Sequence, residues 1–157
     1  MIDAPDLERA SPRDRLAWAV ATFGEELLFT SSFGAGSAVL LQLWSEVARH
    51  LPVVFIDTGF SFDETIGYRD ALVARLGLRL EIARPPHTAA EFVRDFGDDV
   101  QRRDPDFCCT QNKVLPMAPF EARAKAWISG LRRDQSPSRA NVPIVLAQPD
   151  GPFKIHP

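Results

Sequence analysis

A chain of 157 residues with 45% hydrophobic and 25% charged side chains is long enough to bury a core, which excludes a disordered tail. Its net charge of −3 gives no general attraction to a polyanion, so no nucleic-acid partner is expected, although the arginines are locally clustered. Residues 1–15 mix charges without a long apolar run; neither a signal peptide nor a membrane span is read there, no membrane partner is expected, and the expected location is cytoplasmic.

Ser11-Pro12-Arg13-Asp14 has the chemistry of a helix start: a side-chain oxygen at the cap, proline at the first position and an acid near the positive end of the dipole. Leu16, Ala19, Val20 and Phe23 then share one face, and Gly24 offers a stop. Residues 1–26 are therefore expected as an N-terminal helical segment packed on a domain formed by residues 27–157.

From Leu27 short apolar runs alternate with amphipathic stretches. The pattern predicts strands at 27–30, 53–56, 78–83, 126–129 and 143–146, and helices at 37–48, 64–76, 88–96 and 112–125. Such alternation predicts an α/β fold, a mainly parallel sheet with helices on both faces. Residues 84–86 and 104–106 read as turns. Residues 151–157 read as a strand beginning without a helix to cap its layer, so the domain is expected to be C-terminally incomplete. Its open strand edge favours a homo-oligomer.

In open sheets of this class ligands bind beyond the carboxyl ends of the strands, so the loops after Thr30, Ile56, Ser129 and Ala83 are expected on one rim. The first loop carries Ser31, Ser32, Phe33, Gly34, Ala35, Gly36 and Ser37. Its glycines let backbone approach closely, its amides and serines are donors, and a helix start adds positive potential, all of which suit an anion. An ordinary strand-to-helix turn would need only one glycine and a serine cap, and the turn alone leaves both readings open. The lysine that follows the last glycine of a standard P-loop is absent.

The second loop, Ile56-Asp57-Thr58-Gly59, offers an acceptor and a donor for ribose hydroxyls or an adenine edge, or else simply forms a turn. The third runs from Ser129 and Gly130 through Arg132, Arg133 and Gln135 to Arg139; arginine forks match phosphate and sulfate oxygens in pairs, although a solvated basic loop has the same composition. The fourth holds the two cysteines as neighbours, Cys108 and Cys109, followed by Lys113. Adjacent cysteines bridge only with strain, so metal ligation competes with a pair of incidental thiols.

These four segments in this order resemble the assimilatory sulfonucleotide reductases, the adenylyl-sulfate and phosphoadenylyl-sulfate reductases. The resemblance rests on Ser31-Ser32-Phe33-Gly34, Asp57-Thr58-Gly59, Cys108-Cys109 with Lys113-Val114, and Gly130-Leu131-Arg132-Arg133-Asp134-Gln135-Ser136. It implies an adenine-nucleotide α-hydrolase-like (PP-loop type) fold, with the phosphosulfate in the serine–glycine turn, the adenosine near Ile56 and Thr58, and Lys113, Gly130 and Arg139 facing the nucleotide.

The implied chemistry is attack of a cysteine thiolate on the sulfate sulfur, departure of AMP or its 3′-phosphorylated form, and release of sulfite from S-sulfocysteine by thioredoxin or glutaredoxin in cysteine biosynthesis. The resemblance further implies a [4Fe–4S] cluster on Cys108, Cys109 and a later cysteine pair, and with it adenylyl sulfate rather than phosphoadenylyl sulfate as substrate. The nucleophile and the second pair are expected beyond Pro157, so no catalytic residue is assigned within the chain and the chain alone is expected to be inactive. Asn112 stands where the family often has arginine. An inactive adenine-nucleotide-binding module is the alternative; an ATP-pyrophosphatase is disfavoured because its serine-glycine-glycine-x-aspartate-serine pattern is missing.

Overall fold

The computed structural model describes residues 6–157; residues 1–5 of the expected N-terminal segment lie outside the described residues. Helix α1 (Pro12–Phe23) begins where Ser11 accepts a hydrogen bond from the Asp14 amide, and it ends at Gly24. Strand β1 (Leu27–Phe29) and helix α2 (Ala38–Val47) flank the serine–glycine turn. There follow β2 (Pro52–Ile56), α3 (Asp63–Leu76), β3 (Arg79–Ala83) and α4 (Ala89–Phe96), the last started by a Thr88–Glu91 capping box. Short helices α5 (Val100–Arg103), α6 (Pro105–Cys109) and α7 (Leu115–Glu121) lead to β4 (Ala126–Ile128), β5 (Val145–Leu146) and β6 (Phe153–Ile155).

Parallel pairs β1–β4 and β4–β6, with antiparallel β5 at the edge, make a four-stranded sheet, and β2–β3 form a second parallel pair. A parallel bridge between Thr30 and Val54 joins the two, and the Ser31 amide donates to the Val54 carbonyl at 3.1 Å. The carboxyl ends of β1, β2 and β4 therefore open on one rim. One face of the sheet buries Phe29, Val53, Phe55 and Ile128 with Leu16, Ala19, Leu41 and Trp44 of α1 and α2. The other face buries Leu28, Val54 and Ala83 under Met117 of α7. The α/β fold with helices on both faces is thus as expected from the hydrophobic pattern.

One helix differs from expectation. The segment expected as one helix over 112–125 is already helical from Pro105, where Asp104 accepts from the Phe107 amide, and α7 ends at Glu121. Residues 104–106, read as a turn, are this helix start; proline at a first helical position is a start signal as well as a turn signal. Between α6 and α7, Thr110–Val114 forms a π-helical turn. Pro116 has no N–H for the Asn112 carbonyl and would crowd it, which explains the wider turn just before it.

Candidate functional site

Two clefts occupy the rim. The first, about 610 Å³, lies between the turn after β1 and the loop after β4, and its walls include Ser31, Ser32, Gly34, Gly36, Ser37, Gly130, Arg132, Gln135 and Arg139. Phe33 does not line it. Its ring is buried at 1% exposure, edge-on to Phe55 with centroids 5.9 Å apart, while its backbone takes φ 52°, the only positive φ at a non-glycine among the described residues. A positive φ is strained for an aromatic residue, so the buried ring anchors a bend that the backbone would otherwise avoid. The Phe33 amide donates to Ser31 Oγ at 3.1 Å. A 3₁₀ turn, Ala35–Ser37, then leads directly into α2; the Ser37 amide donates to the Gly34 carbonyl at 2.8 Å, and the amides that precede it in such a first turn have no carbonyl partner within the helix.

Across the cleft, Arg132 leans toward this turn. A Cβ built on Gly36 would meet its Nη1 at 3.2 Å, so the glycine leaves room for the guanidinium. Arg132 Nε donates to Asp134 at 3.0 Å, and its amide donates to Gln135 Oε1, which also accepts from Arg139. Among the described residues no carboxylate pairs with Arg139. Leu40 and Leu43 of α2, with Thr30, Ser129 and Pro157, also line the cleft; the two leucines lie outside the expected site residues, although their i, i+3 spacing on an amphipathic helix marks one face.

Behind this wall Ser129 Oγ lies 3.1 Å from His156 Nδ1, and the ring of His156 is buried. Burial holds its pKa below the ordinary 6.5, assisted by the charges of Lys154 and Arg133. Beside it, Lys154 Nζ sits 3.2 Å from the centroid of Trp127, whose indole N–H donates to Thr30 Oγ1. Burial lowers the lysine's pKa too.

Arg133 lies outside the first cleft: its guanidinium turns the other way, onto Glu8. Ile56, Asp57 and Gly59 line neither rim cleft. The Asp57 carboxylate accepts from the Gly59 amide at 3.2 Å and pairs with Arg84 at 3.5 Å, and Thr58 Oγ1 accepts from the Phe60 amide at 3.3 Å. Their polar atoms thus close their own turn, the alternative that the composition of the loop had left open.

The second cleft, about 570 Å³, collects Thr58, Lys113, Cys108 and Cys109 with aromatic walls from Phe60 and Phe92. Both thiols are free, Cys108 half-buried and Cys109 exposed. Asn112, buried at 3% exposure, donates through Nδ2 to the Cys108 carbonyl at 3.0 Å, and its Oδ1 lies 3.3 Å from His87 Nε2. Two adjacent thiols are a soft donor pair that fits half of a four-thiolate cluster. Among the described residues no group of three His, Cys, Asp or Glu side chains gathers to hold a metal. Among the same residues no helix is long and apolar enough to cross a membrane.

The family described as the phosphoadenosine phosphosulfate reductase domain matches residues 26–157. The chain is 41% identical over 153 residues to the adenosine 5′-phosphosulfate reductase of Streptomyces coelicolor, covering 97% of this chain and 64% of that protein. It is 38% identical over 139 residues to the phosphoadenosine 5′-phosphosulfate reductase of Gloeobacter violaceus, covering 88% of this chain and 58% of that one. The chain spans less than two thirds of the length of these curated relatives. Among solved structures it resembles the phosphoadenylyl-sulfate reductase of Candida auris in its phosphate complex, at 26% identity and a TM-score of 0.79, covering 96% of this chain and 73% of that one.

Proposed function

The chain belongs to the phosphoadenosine phosphosulfate reductase domain family, and from that membership we propose that its first cleft holds the phosphosulfate end of adenylyl sulfate. The carrying observation is the convergence of Arg132 and Arg139 on the strained serine turn, with Arg139 free of any carboxylate among the described residues. An incoming anion would meet open amides of the first helical turn and two guanidinium forks. The adenosine would extend toward Thr58 and Lys113, which share the neighbouring cleft. The spent side chains of Asp57 and its turn argue that contacts there come from the apolar walls and the backbone.

In the reaction we propose for the longer protein, a cysteine thiolate bonds to the sulfate sulfur while the sulfur–oxygen bond to phosphate breaks and AMP leaves. A thioredoxin-class dithiol then displaces sulfite and becomes a disulfide. This chain's part is to bind and orient: it neutralises the phosphosulfate and fixes it against the turn. Its two cysteines are adjacent, and we assign Cys108 and Cys109 to a [4Fe–4S] cluster rather than to attack, so the nucleophile and two further ligands would come from outside this chain. When bound, the cluster would supply an anionic, redox-capable centre that Lys113 offsets.

Calorimetric titration of the chain tests the site. Adenylyl sulfate should bind more tightly than AMP and than its own 3′-phosphorylated form, with ATP weaker still. Equal affinity for ATP, or no affinity for either sulfonucleotide, would overturn the reading. For the longer protein, sulfite release from adenylyl sulfate that depends on thioredoxin is the matching assay.

A further inference from the structure

Arg132 and Arg133 are neighbours in sequence and face opposite sides of their loop. While Arg132 leans over Gly36, Arg133 donates from Nη1 and Nη2 to the two carboxylate oxygens of Glu8, at 3.0 and 2.7 Å, and from Nε to the Val142 carbonyl at 2.9 Å. Glu8 is itself held in place. Arg15 donates to the Glu8 carbonyl at 3.0 Å and to the Leu7 carbonyl at 2.8 Å, and the side chain of Leu7 is buried. The hydrogen bond from Arg133 keeps the Glu8 carboxyl below its ordinary range. Glu8 and Arg15 both precede residues 26–157, the part of the chain that the family matches.

We propose that Glu8 is a positioning residue for the anion cleft: by clamping Arg133 to the N-terminal segment, it fixes the loop so that Arg132 and Arg139 face the serine turn. The geometry supports this because the clamp is three-pointed, two oxygens and a carbonyl holding one planar guanidinium. Just beyond it, Gln135 Oε1 ties the Arg132 amide to Arg139. The inference rests on the proposal that this cleft takes the phosphosulfate.

The sign of one substitution separates positioning from plain charge. Glu8→Gln keeps the shape and removes a negative charge beside Arg133, which by field alone would tighten an anion. Positioning requires the opposite. Affinity for adenylyl sulfate should fall about three- to tenfold, as expected when one member of a coupled network is removed, while affinity for adenosine stays unchanged. Arg133→Lys, which keeps the charge but loses the fork, should weaken binding similarly, and the double variant should add little further. Amide hydrogen exchange over residues 131–140 should quicken in all three variants with no ligand present. Binding in Glu8→Gln equal to or tighter than wild type, with unchanged exchange, overturns the proposal. Should the wild-type chain bind no sulfonucleotide, the reading of the cleft fails, and the exchange measurement still decides the clamp: quickened exchange supports it and unchanged exchange removes it.

Discussion

In the cleft between β1 and β4, cationic donors line the wall: Arg132 spends its Nε on Asp134 and Arg139 one Nη on Gln135, and the remaining N–H groups of each five-donor fork are left for an anion. In the cleft beside β2 and β3, Thr58 is engaged with Phe60 and Asn112 with His87 and Cys108, and just outside its lining Asp57 is engaged with Gly59 and Arg84. What remains there is apolar surface, two thiols and Lys113. The contrast teaches that a cationic wall and an apolar, thiol-bearing wall stand side by side on one rim, which is what the proposed division between anion and adenosine requires. An anion can enter the first cleft without breaking an internal hydrogen bond of the second.

If the first cleft depends on a preset turn, its anchor should matter more than an exposed aromatic residue beside the second. Phe33→Ala empties a core position and leaves a residue with a Cβ at φ 52°. We expect a loss of about 3 kcal/mol or more in urea unfolding, together with loss of adenylyl-sulfate binding. Phe96→Ala, at a ring 40% exposed beside the cysteine cleft, should lose about 1 kcal/mol. Similar losses at the two positions would break the comparison. Phe33→Gly sharpens it, since glycine accepts the φ without strain and still lacks the anchoring ring.

Next in size is the loss of a guanidinium. Arg139→Ala should cost about 2 kcal/mol of binding, roughly thirtyfold in affinity for adenylyl sulfate, because a charge-assisted contact to the anion disappears. Affinity for adenosine should be unchanged. Arg123→Ala, at the opposite end of the sheet, is the control: that guanidinium already serves Glu81, and its removal should leave the affinity where it was. An equal loss at both positions in a titration at constant salt would reduce the site to a general field.

A third effect appears only on acidification. His156 lies buried behind Ser129 with a pKa lowered by burial, so the unfolded chain takes up its proton first as pH falls below 6.5. The associated stability is complete above that pH and is lost as pH drops toward the folded-state value. Urea midpoints measured across this range should decline for wild type and decline less for His156→Gln. Parallel curves would remove His156, behind the wall of the first cleft, as a pH-sensitive element.

The order of strands and helices was legible because period-2 and period-3.6 patterns are local, and so was the serine turn, whose glycines and serines are contiguous. Arg133 was not legible as a clamp: adjacent side chains of a loop diverge, and which of them meets the cleft depends on Glu8, 125 positions away. Asp57 was left open between two readings for a different reason. A carboxylate that can accept from a ribose can equally accept from the amide two residues on, and only the backbone path decides. Helix α6 was hidden because Asp104-Pro105 is composed like a turn and behaves as a helix start.

The smallest expected effect tests the finest part of the geometry. At Gly36 an added Cβ would lie 3.2 Å from Arg132 Nη1, whereas at Gly130 it would meet Leu40 Cδ2 at an ordinary 3.7 Å. Neither glycine has a positive φ, so alanine fits both backbones and should leave stability unchanged or raise it by up to about 1 kcal/mol by restricting the unfolded chain. Affinity should separate them. Arg132 is the far end of a flexible side chain, so Gly36→Ala displaces it by a few tenths of an ångström instead of expelling it, which should weaken adenylyl-sulfate binding about two- to threefold, or roughly 0.5 kcal/mol. Gly130→Ala, whose methyl touches Leu40 without crowding an arginine, should lose less. Because both variants add the same methyl group to the same rim, a matched loss would mean that bulk, not the reach of Arg132 across the turn, limits the cleft.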